Sequence, residues 1–227
     1  MPAPIHTLKK AQILKLAGTR CEAHGHTYLE HYNCYLAENG EGVEERIGFL
    51  DIEASNLDAD FGIMLSWCIK DSLTGKIIED VLLKEDIENS PAGQEDRRIT
   101  ANLVEQLSKF DKIVTFYGAR FDIPYIRTRA VVCKVPFPHY GTLAHKDLYF
   151  AVRGKFKLSS NRLENACRVL LNKTSKTRID SKYWRGGVRG DKESLDYILD
   201  HNRKDVIDLE NLYNKVIPFA YPKNSSL

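Results

Sequence analysis

The stretch Ile47-Gly48-Phe49-Leu50-Asp51-Ile52-Glu53 decides the reading of this chain. An uncharged run leads into two carboxylates placed two residues apart. In an extended strand alternate side chains point to opposite faces, so Asp51 and Glu53 share one face. The run is apolar enough to be a buried, central strand. Two acids at the end of such a strand repel each other and are costly to take out of water. A divalent cation would offset that cost. The competing explanation is a solvated strand end, where acids are common.

Working outward, residues 63–70 and 76–84 read as two more strands. Asp71-Ser-Leu-Thr-Gly75 supplies the turn between them, so the three strands form an antiparallel meander. Residues 94–110 are predicted helical, because Ile99, Leu103, Val104, Leu107 and Phe110 recur at helical spacing. Residues 112–116 are a short β-rich run and 122–133 a helix. Residues 139–150 hold a strand and the start of another helix, and 160–171 form a helix with a serine at its start. The last helix, 191–216, carries the stripe Leu195, Ile198, Leu199, Val206, Leu209, Leu212, Tyr213 and Val216, with Asp191 as N-cap. A meander followed by alternating strands and helices predicts an α/β fold, a mixed five-stranded sheet flanked by helices.

Residues 1–44 differ from this body. An amphipathic helix over 7–17 precedes a Cys/His-rich stretch, and the acidic, glycine-containing segment 38–45 reads as a linker. The expected division is therefore a small N-terminal appendage, 1–44, and a main domain, 45–227. The chain of 227 residues is 43% hydrophobic and 28% charged, which fits a soluble globular protein. No apolar run approaches the roughly 20 residues of a membrane helix. Lys9, Lys10 and Lys15 interrupt the apolar start, which argues against a secretory signal; a cytoplasmic protein without membrane partners is expected. Five widely spaced cysteines do not form a disulfide framework, and Cys68 and Cys167, inside apolar runs, read as buried thiols.

Two further acids stand in informative places. Asp122 follows Tyr117-Gly-Ala-Arg-Phe121 at a strand-to-helix junction, where an N-cap is the ordinary reading. Asp205 lies in the last helix, four residues after His201 and hence on its face, next to Val206 of the apolar stripe. Together the four acids resemble the DEDD exonuclease superfamily, the DnaQ-like enzymes with a ribonuclease H-like fold. Phe49-Leu-Asp-Ile-Glu53 looks like the first exonuclease motif, and Thr115-Phe-Tyr-Gly-Ala-Arg-Phe-Asp-Ile-Pro-Tyr125 like the second. Tyr197-Ile-Leu-Asp-His-Asn-Arg-Lys-Asp-Val206 looks like the third. The likeness extends to the YprB-like branch of predicted exonucleases, in which a stretch like Lys176-Thr-Arg-Ile-Asp-Ser-Lys-Tyr-Trp184 leads into the last helix.

The resemblance implies a 3′→5′ exonuclease acting on single-stranded DNA or RNA ends. It further implies two Mg²⁺ or Mn²⁺ ions, roughly 3.5–4 Å apart in such sites, held by Asp51, Glu53, Asp122 and Asp205. His201 would act as general base or orient water. The chain departs from the family pattern twice. Tyr117 stands where the second motif usually has Asn. In the third motif the family has a Tyr four residues before the Asp or a His five before it, and here a His takes the Tyr spacing. Three other readings compete: a structure-specific endonuclease, a non-catalytic nucleic-acid-binding module on the same fold, and a structural or partner-binding domain.

Net charge is only +2, but residues 172–192 hold seven basic and two acidic side chains. Within that segment Lys176, Arg178, Lys182 and Arg185 are candidate phosphate contacts, and Tyr183 and Trp184 could stack on bases. Gly186, Gly187 and Gly190 suggest a mobile clamping loop; aromatics packed under a solvated loop are the alternative. Near the N-terminus Cys21, His24, His31 and Cys34 are spaced as two ligand pairs for one structural Zn²⁺. The alternative there is histidines packed against Tyr28, Tyr32 and Tyr35.

Overall fold

The structure, a computed structural model, describes residues 10–21, 25–30, 32–38, 45–139, 141–173, 180–220 and 225–226. Contacts divide the chain into two units, Met1–Glu45 and Arg46–Leu227. The first contains helix α1 (Lys10–Gly18) and helix α2 (Tyr32–Glu38), with an antiparallel bridge between Arg20 and Thr27. Its buried cluster is Leu16, Cys21, Tyr28 and Cys34, with Leu29, Tyr32 and Tyr35 packed against it.

The second unit begins with strands β1 (Ile47–Ala54), β2 (Met64–Asp71) and β3 (Ile77–Val81), followed by helices α3 (Lys84–Asn89) and α4 (Arg97–Leu107). Strand β4 (Lys112–Thr115), helix α5 (Asp122–Val132), strand β5 (Ala144–Asp147) and helix α6 (Leu148–Lys155) come next. Helices α7 (Leu163–Leu170), α8 (Ser181–Gly187) and α9 (Lys192–Val216) and the two-residue strand β6 (Ser225–Ser226) complete it. Among the described residues the sheet order is β3-β2-β1-β4-β5-β6. β1 is antiparallel to β2 and parallel to β4, so the sheet is mixed and β1 is internal. The five strands expected from the sequence are present, and β6 adds a short antiparallel edge on β5.

The β2–β3 hairpin forms for a local reason. Asp71 sits at the end of β2 with Oδ1 accepting from the Leu73 N–H at 3.0 Å and Oδ2 from the Thr74 hydroxyl at 2.9 Å. Gly75 then takes φ = 68°, which a side chain would resist. β1 alternates as its pattern requires. Leu50 and Ile52 pack in the larger core with residues of α4 and α5, whereas Phe49 packs with α6, α7 and the C-terminal half of α9. Asp51 and Glu53 therefore share the face of Phe49, the face that α9 covers.

Part of the basic segment read as mobile, residues 181–187, is corrected by the structure. Residues 181–187 form α8, which packs on α9. A Cβ on Gly187 would lie 2.9 Å from Ile198 Cδ1, and one on Gly186 would collide with the Ser194 side chain. These glycines permit close helix packing instead of supplying mobility. Tyr183 stacks on Tyr197 at 3.9 Å, and Tyr183 and Trp184 are half-buried against the larger core. Part of their aromatic area is thus used in packing. Lys182 and Arg185 remain exposed; Lys176 and Arg178 lie outside the described residues. Among the described residues no helix is long and apolar enough to cross a membrane.

Candidate active site

The site is built on β1 and closed by α9. The N-cap Asp191 accepts from the Ser194 N–H at 2.9 Å and from its hydroxyl at 2.6 Å, which sets the helix start. Three polar ties then fix where α9 lies on the sheet. Asn202 Nδ2 donates to the Asp51 carbonyl at 3.2 Å, Arg203 Nε to Glu79 Oε2 at 2.6 Å, and Lys70 Nζ pairs with Glu210 at 2.9 Å. His201 and Asp205, one turn apart, are thereby turned inward, each about 5% exposed.

The His201 Nε2 atom lies 3.8 Å from Asp205 Oδ2 and 4.0 Å from Glu53 Oε1. One donor atom from each of Glu53, His201 and Asp205 falls within 4.8 Å of the other two. Asp122, the first residue of α5, is buried, and its Oδ1 accepts from the N–H of Ile52, the residue between Asp51 and Glu53, at 3.2 Å. Asp51 and Asp205 line one cleft of about 600 Å³ together with Tyr117, Tyr149 and Arg162. The structure thus brings together all five residues singled out around the acidic motif.

Their electrostatics are strained. Burial pushes the Asp122 carboxyl up to about 7, and the nearby negative charges of Asp147 and Asp205 add to the rise, although backbone N–H groups oppose it. In stability terms the sign is unfavourable at neutral pH. The folded-state value exceeds the unfolded one, so this group's contribution is whole below about 4 and is lost as pH rises through about 7. Asp122→Asn removes the charge while an amide oxygen can still accept from Ile52. Thermal melts at pH 8 with chelator should show the variant more stable by several degrees, equivalent to a few kcal/mol at most. Mn²⁺ should raise the wild-type melting temperature more than that of the variant. A variant that melts below wild type in chelator would contradict this account.

Asp147 and Arg129 act on the site without belonging to it, and neither was singled out from the sequence. Asp147, at the end of β5, caps α6 by accepting from the Tyr149 N–H at 3.0 Å. The same carboxylate accepts from the Tyr117 and Ala119 N–H groups at 2.8 and 3.0 Å. It holds the turn that delivers Asp122, and it holds Tyr117 at φ = 69°, a left-handed conformation uncomfortable for a bulky residue. Asn would tolerate that conformation better than Tyr. Asp147→Ala would leave these donors without their acceptor. We expect a loss of about 2–5 kcal/mol of stability, together with reduced turnover, measured by urea melts and cleavage assays. Unchanged values in both would remove Asp147 from the account. Arg129 of α5 grips Asp96 through Nε at 2.8 Å and Nη2 at 2.6 Å, and Asp96 also accepts from the Met64 N–H at 2.8 Å. This buried pair ties α5 to the entrance of α4 and the start of β2.

In the N-terminal unit only part of the expected ligand set lies within the described residues. Cys21 and Cys34 come together, and the third donor within 4.8 Å among the described residues is His26. His24 and His31 lie outside the described residues. Tyr28, Tyr32 and Tyr35 also cluster, with Tyr32 stacked on Tyr35 at 5.6 Å. All five cysteines are buried and none is in a disulfide.

A mixed α/β sheet whose internal strand carries Asp-x-Glu, met by an acid after the neighbouring parallel strand and another on the covering helix, defines a ribonuclease H-like nuclease fold. The chain belongs to the RNase_H superfamily: the RNase_H_2 family model matches residues 48–217. No curated protein sequence matches the chain. Among solved structures it is similar to the family B DNA polymerase from the hyperthermophilic archaeon Pyrobaculum calidifontis, with a TM-score of 0.60 and 19% identity. That match covers 78% of this chain and 25% of the polymerase. At that identity the likeness establishes the fold, and nothing about polymerisation carries over.

Proposed function

We propose that this chain is a metal-dependent 3′→5′ exonuclease of the DEDD type, in the YprB-like branch. The observation that carries the proposal is the meeting of Glu53, His201 and Asp205 donors within 4.8 Å, beside the buried Asp122 and a cleft that Asp51 and Asp205 line. Structural acids are rarely concentrated in this way, since each added charge makes the next more costly. Oxygen donors of this kind suit Mg²⁺ or Mn²⁺ rather than softer ions. Asp51, Glu53, Asp122 and Asp205 would hold two such ions, which neutralise phosphate charge and lower the pKa of attacking water.

The chain's own residues supply the rest. His201 is placed to accept a proton from water, or to orient it, at the edge of the acid cluster. Arg162, exposed at the cleft, can pair with a backbone phosphate. Tyr117 is about half exposed and packs edge-on against Tyr149 at 4.8 Å, offering an aromatic surface to a terminal base. The substrate is a nucleic-acid 3′ end, single-stranded where it enters the cleft. The direct test compares Mg²⁺-dependent cleavage of single-stranded DNA and RNA by wild type and Asp51→Ala. Equal activity in the two proteins would refute the assignment of the site.

A further inference from the structure

We infer that the N-terminal unit is a zinc knuckle whose metal is held by Cys21, His26 and Cys34, independently of the acidic centre. Three features of the described residues support this. The first is local geometry. The Cys21 N–H donates to the His26 carbonyl and the Gly25 N–H to the Cys21 carbonyl, each at 2.8 Å, so the chain doubles back within one tight turn. Gly25 takes φ = 72° just before His26, and the Arg20–Thr27 bridge flanks these bonds. A turn of this form holds a cysteine and a histidine near each other on a short loop. Cys34, on α2, meets them from a separate element.

The second is donor chemistry and spacing. One ligand atom from each residue lies within 4.8 Å of the other two. Around tetrahedral zinc, bond lengths of about 2.3 Å to sulfur and 2.0–2.1 Å to nitrogen separate neighbouring ligand atoms by roughly 3.5–3.8 Å. Small side-chain movements would close that difference. Two thiolates and an imidazole select zinc over Mg²⁺ or Ca²⁺, which prefer oxygen. The three donors leave one tetrahedral position for a further ligand or water.

The third is energetic. The buried cluster of this unit contains Leu16 and Tyr28 besides the two cysteines themselves. Units near 40 residues rarely bury enough apolar surface to stay folded without a disulfide, a metal or a partner. Cys21 and Cys34 both sit in that cluster, and no disulfide joins them. Binding zinc would deprotonate them and couple metal affinity to folding of the unit.

The experiment uses the full-length protein purified under reducing conditions. Its metal content is measured by elemental analysis for wild type, His26→Ala, Cys34→Ser and Asp205→Asn. We expect one zinc per chain in wild type and Asp205→Asn, and its loss in His26→Ala and Cys34→Ser. Because the knuckle variants could lose the metal through misfolding, wild type is also stripped and reloaded with Co²⁺. A tetrahedral thiolate site then gives visible ligand-field bands and a sulfur-to-cobalt charge-transfer band. Native thiol titration should reveal two further reactive thiols after chelation. Wild type without zinc and without those cobalt bands would overturn the proposal, as would a Cys21–Cys34 disulfide found by mass spectrometry. Zinc retained by both knuckle variants but lost from Asp205→Asn would overturn it too, by placing the metal at the acidic centre.

Discussion

Asp205→Asn is expected to abolish turnover while leaving the fold intact. The side chain is buried on α9 with Oδ2 3.8 Å from His201 Nε2. Asparagine matches it in shape, so packing against β1 survives, and the ties through Asn202, Arg203 and Glu210 that hold α9 in register are untouched. What is lost is one anionic oxygen donor. A bound metal contributes several kcal/mol to stabilising the transition state, so weakening its site should lower turnover by about 10³-fold or more. The checks are the single-turnover cleavage rate of a labelled oligonucleotide at saturating Mg²⁺ and the circular dichroism spectrum. A variant with a native spectrum and near-normal rate would remove Asp205 from the catalytic set.

His201→Ala should show the second largest effect. The ring is buried between Glu53 and Asp205. Loss of a general base typically costs about 10²–10⁴-fold in rate, with substrate affinity little changed. His201→Tyr restores the residue type that the third motif usually has at this spacing. If orienting water is the role, that variant recovers part of the activity; if proton transfer at neutral pH is the role, it does not. Rate against pH at fixed Mg²⁺, for wild type and both variants, separates the two. His201→Ala with the wild-type rate and profile would make His201 a bystander.

The parts of this architecture legible in the sequence are those set by local periodicity. Alternation along residues 47–53 places Asp51 and Glu53 on one face, and the apolar stripe of 191–216 defines α9 and the inward lean of Asp205. The side-chain bonds that aim these elements are not periodic and leave no such trace. Asn202 reaches the Asp51 backbone across 151 positions, and Asp147 reaches Tyr117 across 30. Each looks like an ordinary polar residue until the sheet is assembled. Glycine misled the reading of 181–187, because glycine serves flexibility in a loop and close approach in a helix pair. Only the neighbouring Ser194 and Ile198 decide which applies. In the Cys/His stretch, pair spacing points to His24 and His31, which lie outside the described residues, whereas the approach of His26 to the cysteines goes with backbone bonds that spacing does not reveal.

The proposed activity is stepwise hydrolysis from a 3′ end by a metal-dependent site. It is tested most directly by incubating wild type with a 5′-labelled single strand, a 3′-blocked strand and a circular strand, each with and without Mg²⁺. The prediction is a Mg²⁺-dependent ladder shortening one nucleotide at a time on the 5′-labelled strand, with the circle intact and the blocked strand protected. Cutting of the circle, or release of the 5′ label as the first product, would contradict it.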